Sequence, residues 1–218
     1  MSTLAELVTS VTRRTGNDDS TGITEYINEA YDDVLVRTKC KVTAGTFALS
    51  AGYGDYAWDD DILEIVEVST ITSGGVNYVP SRVTAQEILR LRANSSASSP
   101  ALSYAVEGGN LLMVYPTPAA DDTVMIYYVP RPTALTGSDT PSYIPAQWHK
   151  ALFYYAAAEA SDDRDDASSG QGELYRAKYE AMLKEIRKNT WRMGGRRLPR
   201  ATVGSSRFAS HDNSADWR

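Results

Sequence analysis

The segment Tyr104-Ala105-Val106-Glu107-Gly108-Gly109-Asn110-Leu111-Leu112 decides how this 218-residue chain is read. Two short arms of β-favouring residues flank a Gly-Gly-Asn turn, and the glycines can take the positive φ that a tight turn demands. The segment therefore reads as an antiparallel hairpin. Working outward, further runs rich in β-branched and aromatic residues occur at Thr46–Ser50, Ile62–Ile71, Val76–Val79, Ser103–Val106, Leu111–Tyr115 and Val124–Val129. Turn signals at Ala44-Gly45, Ala51-Gly52 and Ser73-Gly74-Gly75 punctuate them. Thr84 and Glu87 have capping spacing for a short helix over Thr84–Arg92, and Asn94–Ser99 is a small polar loop.

Toward both ends the period changes from strand-like to helical. Leu4, Leu7, Val8 and Val11 recur at helical spacing behind a Thr3/Glu6 capping box, and the first helix stops near Gly16. A second helix is expected from about Gly22 to Thr38, with Ile23, Ile27, Ala30 and Val34 on its buried stripe. After the proline-interrupted stretch at Pro130, Pro132 and Pro141, Pro145 suits the first position of a third helix buried through Trp148, Leu152, Tyr155 and Ala156. A fourth begins near Gly172, with Leu174, Tyr175, Tyr179, Met182 and Ile186 at helical spacing. Beyond Thr190 the periodicity is lost. The expected fold is α+β: residues 1–40 and 143–190 form a helical bundle, 41–142 an inserted antiparallel β-rich lobe, and 191–218 an extended basic C-terminal arm.

Charge separates these parts. The whole chain carries 22 Lys+Arg against 28 Asp+Glu, a net of −6. Between Arg187 and Arg218 there are eight bases and two acids, so an acidic body ends in a basic tail. This distribution excludes a basic protein that coats DNA, and 42% hydrophobic residues suffice for a real core. The single cysteine, Cys40, offers neither an internal disulfide nor a zinc site. Apolar runs such as Leu111–Tyr115 fall far short of the ~20 residues that span a bilayer. The opening residues, with Glu6 and repeated Thr, do not read as a secretory signal. Synthesis in a reducing cytoplasm, with no membrane partner, is expected.

Catalytic chemistry finds little support. The two histidines, His149 and His211, have no accompanying nucleophile motif, and no phosphate loop is present. Asp59-Asp60-Asp61 and the run Asp162-Asp163-Arg164-Asp165-Asp166 are the candidate sites for a hard cation, but neither has the alternating ligand spacing of a calcium loop. Solvated turns explain both better. No catalytic residue, metal ligand or cofactor is expected.

The tail is the most informative functional set. Arginines bind phosphates and also form bidentate pairs with acidic protein surfaces. Here Trp191, Leu198, Val203, Phe208 and Trp217 interleave with Arg192, Arg196, Arg197 and Arg200. Such aromatic and apolar anchors suit a segment that orders on a protein partner, ahead of nucleic-acid binding or a functionless end. Fourteen tyrosines against three phenylalanines fit either subunit interfaces or ordinary half-buried packing.

Several fragments, taken in order, resemble tailed-phage head-to-tail adaptor proteins, most closely the longer tail tubular protein A type. They are Leu4-Ala5-Glu6-Leu7-Val8, Ile27-Asn28-Glu29-Ala30-Tyr31, Pro100 with Tyr104–Gly109, Tyr115-Pro116-Thr117-Pro118, Tyr127-Tyr128 and Pro145–His149, so that the likeness spans Thr3–Ile186. The resemblance implies a non-enzymatic dodecameric ring between the portal protein and the tail or nozzle protein, through which double-stranded DNA passes without sequence-specific binding. It implies helices packed around the channel, a C-terminal arm reaching the portal from the position of Trp191–Arg218, and a β lobe facing the next tail component or the outside of the ring. The arm residues that would meet the portal are Trp191, Arg192, Arg196, Arg197, Arg200, Phe208 and Trp217. An acidic body suits a conduit, because gripping phosphates would retard passage. The competing expectations are another tail-completion or tail-terminator protein of the virion and a metal-dependent hydrolase using the acidic clusters.

Overall fold

The computed structural model describes residues 2–94, 100–108, 110–163 and 170–193. Among them the fold is α+β, with five α-helices and two four-stranded sheets. Helices α1 (Leu4–Thr15), α2 (Ser20–Thr38), α4 (Lys150–Asp162) and α5 (Gln171–Met193) pack around one apolar core. The Thr3/Glu6 capping box forms as expected, and Gly16 closes α1 in the left-handed conformation. Asp19 caps α2 by accepting the amides of Thr21 and Gly22, which starts the helix two residues before Gly22. Ile23, Ile27, Ala30 and Val34 are wholly buried. On α5 the buried set is Tyr179, Leu183 and Ile186, whereas Leu174 is 53% exposed. The expected stripe therefore differs at its N-terminal end, where Gly172 and Tyr175 face α4 and Leu174 between them points to solvent. Helix α5 also runs through Trp191 and Arg192 to Met193, so helical backbone continues past Thr190.

The strands are β1 (Thr43–Leu49), β2 (Asp55–Ala57), β3 (Ile62–Ser73), β4 (Val76–Tyr78), β5 (Ser81–Arg82), β6 (Ser103–Glu107), β7 (Leu111–Tyr115) and β8 (Asp122–Pro130). One sheet has the order β1-β8-β3-β4 and the other β2-β7-β6-β5. Their facing sides enclose a second core that includes Leu49, Tyr56, Ile65, Tyr104, Leu112 and Ile126. The outer side of the second sheet is covered by α3 (Ala85–Asn94), whose Ile88 packs on Ala105 and Met113. Alternation on β6 and β7 thus serves two cores at once. The hairpin at Tyr104–Leu112 is present, with Glu107 opposite Leu111, and Asn110 takes a positive φ of 65°. One pairing departs from the antiparallel expectation: β5 runs parallel to β6 over Ser81 and Arg82.

Ala44-Gly45, expected to be a turn, lies inside β1. A side chain at Gly45 would bring its Cβ to 2.9 Å from the Tyr128 ring, so glycine leaves room for the ring to lie across the strand. The long strand β3 contains three register irregularities against β8, at Ile62/Glu64, Ile65/Glu67 and Val68/Thr70. Each inserts one extra residue, so the core-facing side chains recur every third position as Ile62, Ile65, Val68 and Ile71. Two of the extra residues, Leu63 and Val66, pack against the helical core instead. Tyr104 Oη, from the other sheet, accepts the Val68 amide at 3.3 Å. β3 is therefore a wall shared by both cores.

Candidate interaction surfaces

Helix α4 organises the surface chemistry of the helical lobe. Its alanines 151, 156, 157, 158 and 160 are buried, and their small volume lets the neighbouring helices approach closely. The larger residues point two ways. Lys150, Phe153 and Tyr154 join Leu7, Ser10, Arg13 and Arg14 of α1 and Tyr175 and Lys178 of α5 around an open groove of about 390 Å³. Its aromatic wall is compact: Phe153 meets Tyr154 edge-on at 5.4 Å, and Tyr154 stacks on Tyr175 at 6.5 Å. Lys178 Nζ lies 5.9 Å from the Tyr154 ring centre and 5.4 Å from that of Tyr175. Arg13, Arg14, Lys150 and Lys178 are all exposed, and none has a carboxylate partner among the described residues.

The other side of α4 is acidic and tied together. Tyr155 packs edge-on against Tyr179 at 5.4 Å, and Tyr179 donates to Asp33 Oδ2 at 2.5 Å. Arg37 bonds Glu180 at 2.7 Å and Asp33 at 3.4 Å, while Arg187 donates to the Arg37 carbonyl at 2.8 Å. Arg176 spans Glu159, at 3.2 Å, and Asp162. Tyr26 donates to Asp163. Burial, and then the Asp33 carboxylate, hold the Tyr179 phenol far above its ordinary value. The hydrogen bond to Asp163 is the main cause that pushes Tyr26 up to about 12. These phenols act as hydrogen-bond donors between helices. Farther out on α2, Glu25 and Glu29 are exposed and unpaired among the described residues.

Of the arm residues expected to bind a partner, Trp191 and Arg192 belong to the last turn of α5. Arg196, Arg197, Arg200, Phe208 and Trp217 lie outside the described residues. His149 is a buried framework group: Nδ1 accepts the Ser2 amide at 3.3 Å and Nε2 donates to the Ile144 carbonyl at 2.9 Å. At the Asp59–Asp61 turn, main-chain carbonyls do the bonding, Asp59 to Ile62 at 3.1 Å and Asp61 to Arg131 at 2.7 Å. Arg164, Asp165 and Asp166 of the second acidic run lie outside the described residues. Among those described, no group of three or more His, Cys, Asp or Glu is placed to hold a metal ion. Burial raises the Cys40 thiol above its usual value. No helix among the described residues is long and apolar enough to cross a membrane.

The basic groove is the feature that sequence reading missed. Its signal is present in Lys150, Phe153 and Tyr154 at i, i+3 and i+4, and in Tyr175 and Lys178 at i and i+3, each set sharing one helix face. Only tertiary packing brings the two sets and the end of α1 together. Comparison with known proteins adds a family: the model described as SU10 adaptor protein matches residues 2–203. No curated protein matches the chain.

Proposed function

The chain belongs to the SU10 adaptor protein family and is a structural head-to-tail adaptor of a tailed phage, and from that premise we propose that it assembles as a ring beneath the portal and joins the capsid vertex to the tail. The observation that carries this reading is the reach of the family match. It takes in the helical lobe and the β lobe together and continues past α5 into residues 194–203. In this reading the ring is a dodecamer that leaves a passage for double-stranded DNA, and the family's structural role leaves no chemistry for the chain to perform.

The C-terminal arm supplies the portal contact. Arg192, Arg196, Arg197 and Arg200 would pair with acidic portal side chains, and Trp191, Phe208 and Trp217 would fill apolar pockets. Opposite net charge on body and arm steers the arm toward the portal while the body keeps little affinity for the genome. The β lobe is then left for the next tail component or the outside of the ring.

Portal rings mixed with purified protein test the proposal. Co-migration, and an added annulus in electron-microscopy averages, are expected. Portal rings that remain unchanged overturn it. Reversing Arg196, Arg197 and Arg200 to Glu is expected to abolish the annulus without changing the melting temperature of the body.

A further inference from the structure

We propose that the basic aromatic groove of α1, α4 and α5 receives the acidic outer face of α2 from a second copy of this chain, making these two surfaces the lateral contact of the assembly. The inference rests on the ring reading above and specifies which faces mate. Lys150 and Glu159 lie nine residues apart on α4, two and a half turns, so they leave the helix on opposite sides. The groove opens on the Lys150 side. Glu159 lies on the side that carries Tyr155 and the α2 acids, where Tyr26, next to Glu25 on α2, donates to Asp163 at the end of α4.

A closed ring of identical subunits needs two different surfaces, roughly back to back, that fit one another. The helical lobe has such a pair. On one side, four exposed cations surround an aromatic wall and lack carboxylate partners among the described residues. On the other, Glu25 and Glu29 stand one helical turn apart, exposed and unpaired among the described residues, while the nearby Asp33, Glu159 and Asp162 are already bound to Tyr179, Arg37 and Arg176. The internal pairs make the acidic face rigid, and the two free glutamates are what it can offer a neighbour. Charge complementarity of this kind fixes the register and direction of docking, and like charges in the wrong pairing are repelled. A phosphate backbone would also suit the cations, but it would leave the complementary face on the same chain without a role.

Charge exchange tests the pairing. One variant carries Arg13→Glu with Lys150→Glu, a second carries Glu25→Lys with Glu29→Lys, and a third carries all four changes. All four positions are exposed, and melting followed by circular dichroism verifies that each variant folds. Native mass spectrometry, with the protein alone and on portal rings, reads assembly. The expected result is that each two-site variant self-associates roughly a hundredfold or more weakly than wild type. An equimolar mixture of the two should recover assembly, and the four-site variant should assemble with itself. Wild-type rings with all variants unaffected overturn the pairing and leave the ring reading intact. A wild-type chain that forms no homo-oligomer under either condition overturns both. If the groove variant assembles normally but loses affinity for a double-stranded DNA oligonucleotide, the groove's occupant is DNA and the proposal fails.

Discussion

The helical lobe and the β lobe solve the problem of burial differently. The helical lobe is assembled from the two ends of the described chain, so α1 and α2 are held only when α4 and α5 return to them more than a hundred residues later. The β lobe is continuous in sequence: Ser73-Gly74-Gly75-Val76 makes a local hairpin, and β8 closes the first sheet by pairing with β1 and β3 from the other end of the lobe. The first lobe presents sharply divided charge to the outside, while the second carries scattered exposed apolar residues such as Val76, Val79 and Leu102. The lobe assembled from the two ends of the described chain thus carries the polarised surface. β3 joins them by facing both cores.

The largest expected effect tests whether the lobes are separable. Leu152 is wholly buried at the centre of the helical core, and Leu152→Ala is expected to remove about 2–5 kcal/mol of stability. Hydrogen exchange should show lost protection across α1, α2, α4 and α5 with β6 and β7 nearly unchanged. Equal loss in both lobes would show that they unfold as one unit and would break the comparison. A smaller effect sharpens it. Leu63→Ala and Val66→Ala alter the inserted residues of β3 that touch the helical core, and each should cost about 1–2 kcal/mol, read mainly in the helices. At Gly45, Gly45→Val should cost about 1–3 kcal/mol by displacing the Tyr128 ring, read in the exchange of β1 and β8 rather than in the bundle.

Most of this architecture was legible because period and capping are local. The Thr3/Glu6 box, the stripe on α2 and the Gly74-Gly75 turn each depend on residues within one or two turns of each other. What escaped reading depends on partners distant in sequence. β2 and β5 have three and two residues, too few to establish alternation, and they exist because β7 and β6 offer edges. Gly45 has turn chemistry in sequence and strand geometry in the fold, a difference set by Tyr128, eighty-three residues away. The period of three in β3 arises from insertions against β8. The charge asymmetry between body and tail was plain, but the body's own division into a basic groove and an acidic face was hidden, since net charge averages over surfaces that folding separates.

The smallest effect concerns what ties the acidic face of the helical lobe together. Tyr179→Phe removes the hydroxyl that α5 donates to Asp33 on α2 while keeping the ring against Tyr155. Asp33 is about one-third exposed, so water can replace part of what is lost, and a cost of about 1 kcal/mol is expected at pH 8. The pH dependence reads how firmly burial and the Asp33 carboxylate together hold the proton on this phenol. Burial and Asp33 raise the folded-state phenol above its ordinary value of 10.0, so the folded protein keeps this proton at a pH where the unfolded chain has released it. The stabilisation is complete below pH 10 and declines as pH rises from there toward the folded value. Tyr26, raised to about 12, contributes in the same sense in both proteins. Urea unfolding at intervals from pH 8 to pH 11 should therefore show wild type losing stability above pH 10 more steeply than Tyr179→Phe, with the two curves converging. Parallel curves would mean that the hydroxyl is not held by the Asp33 carboxylate, and that the acidic face keeps its shape through ring packing and the Arg37 and Arg176 ion pairs alone.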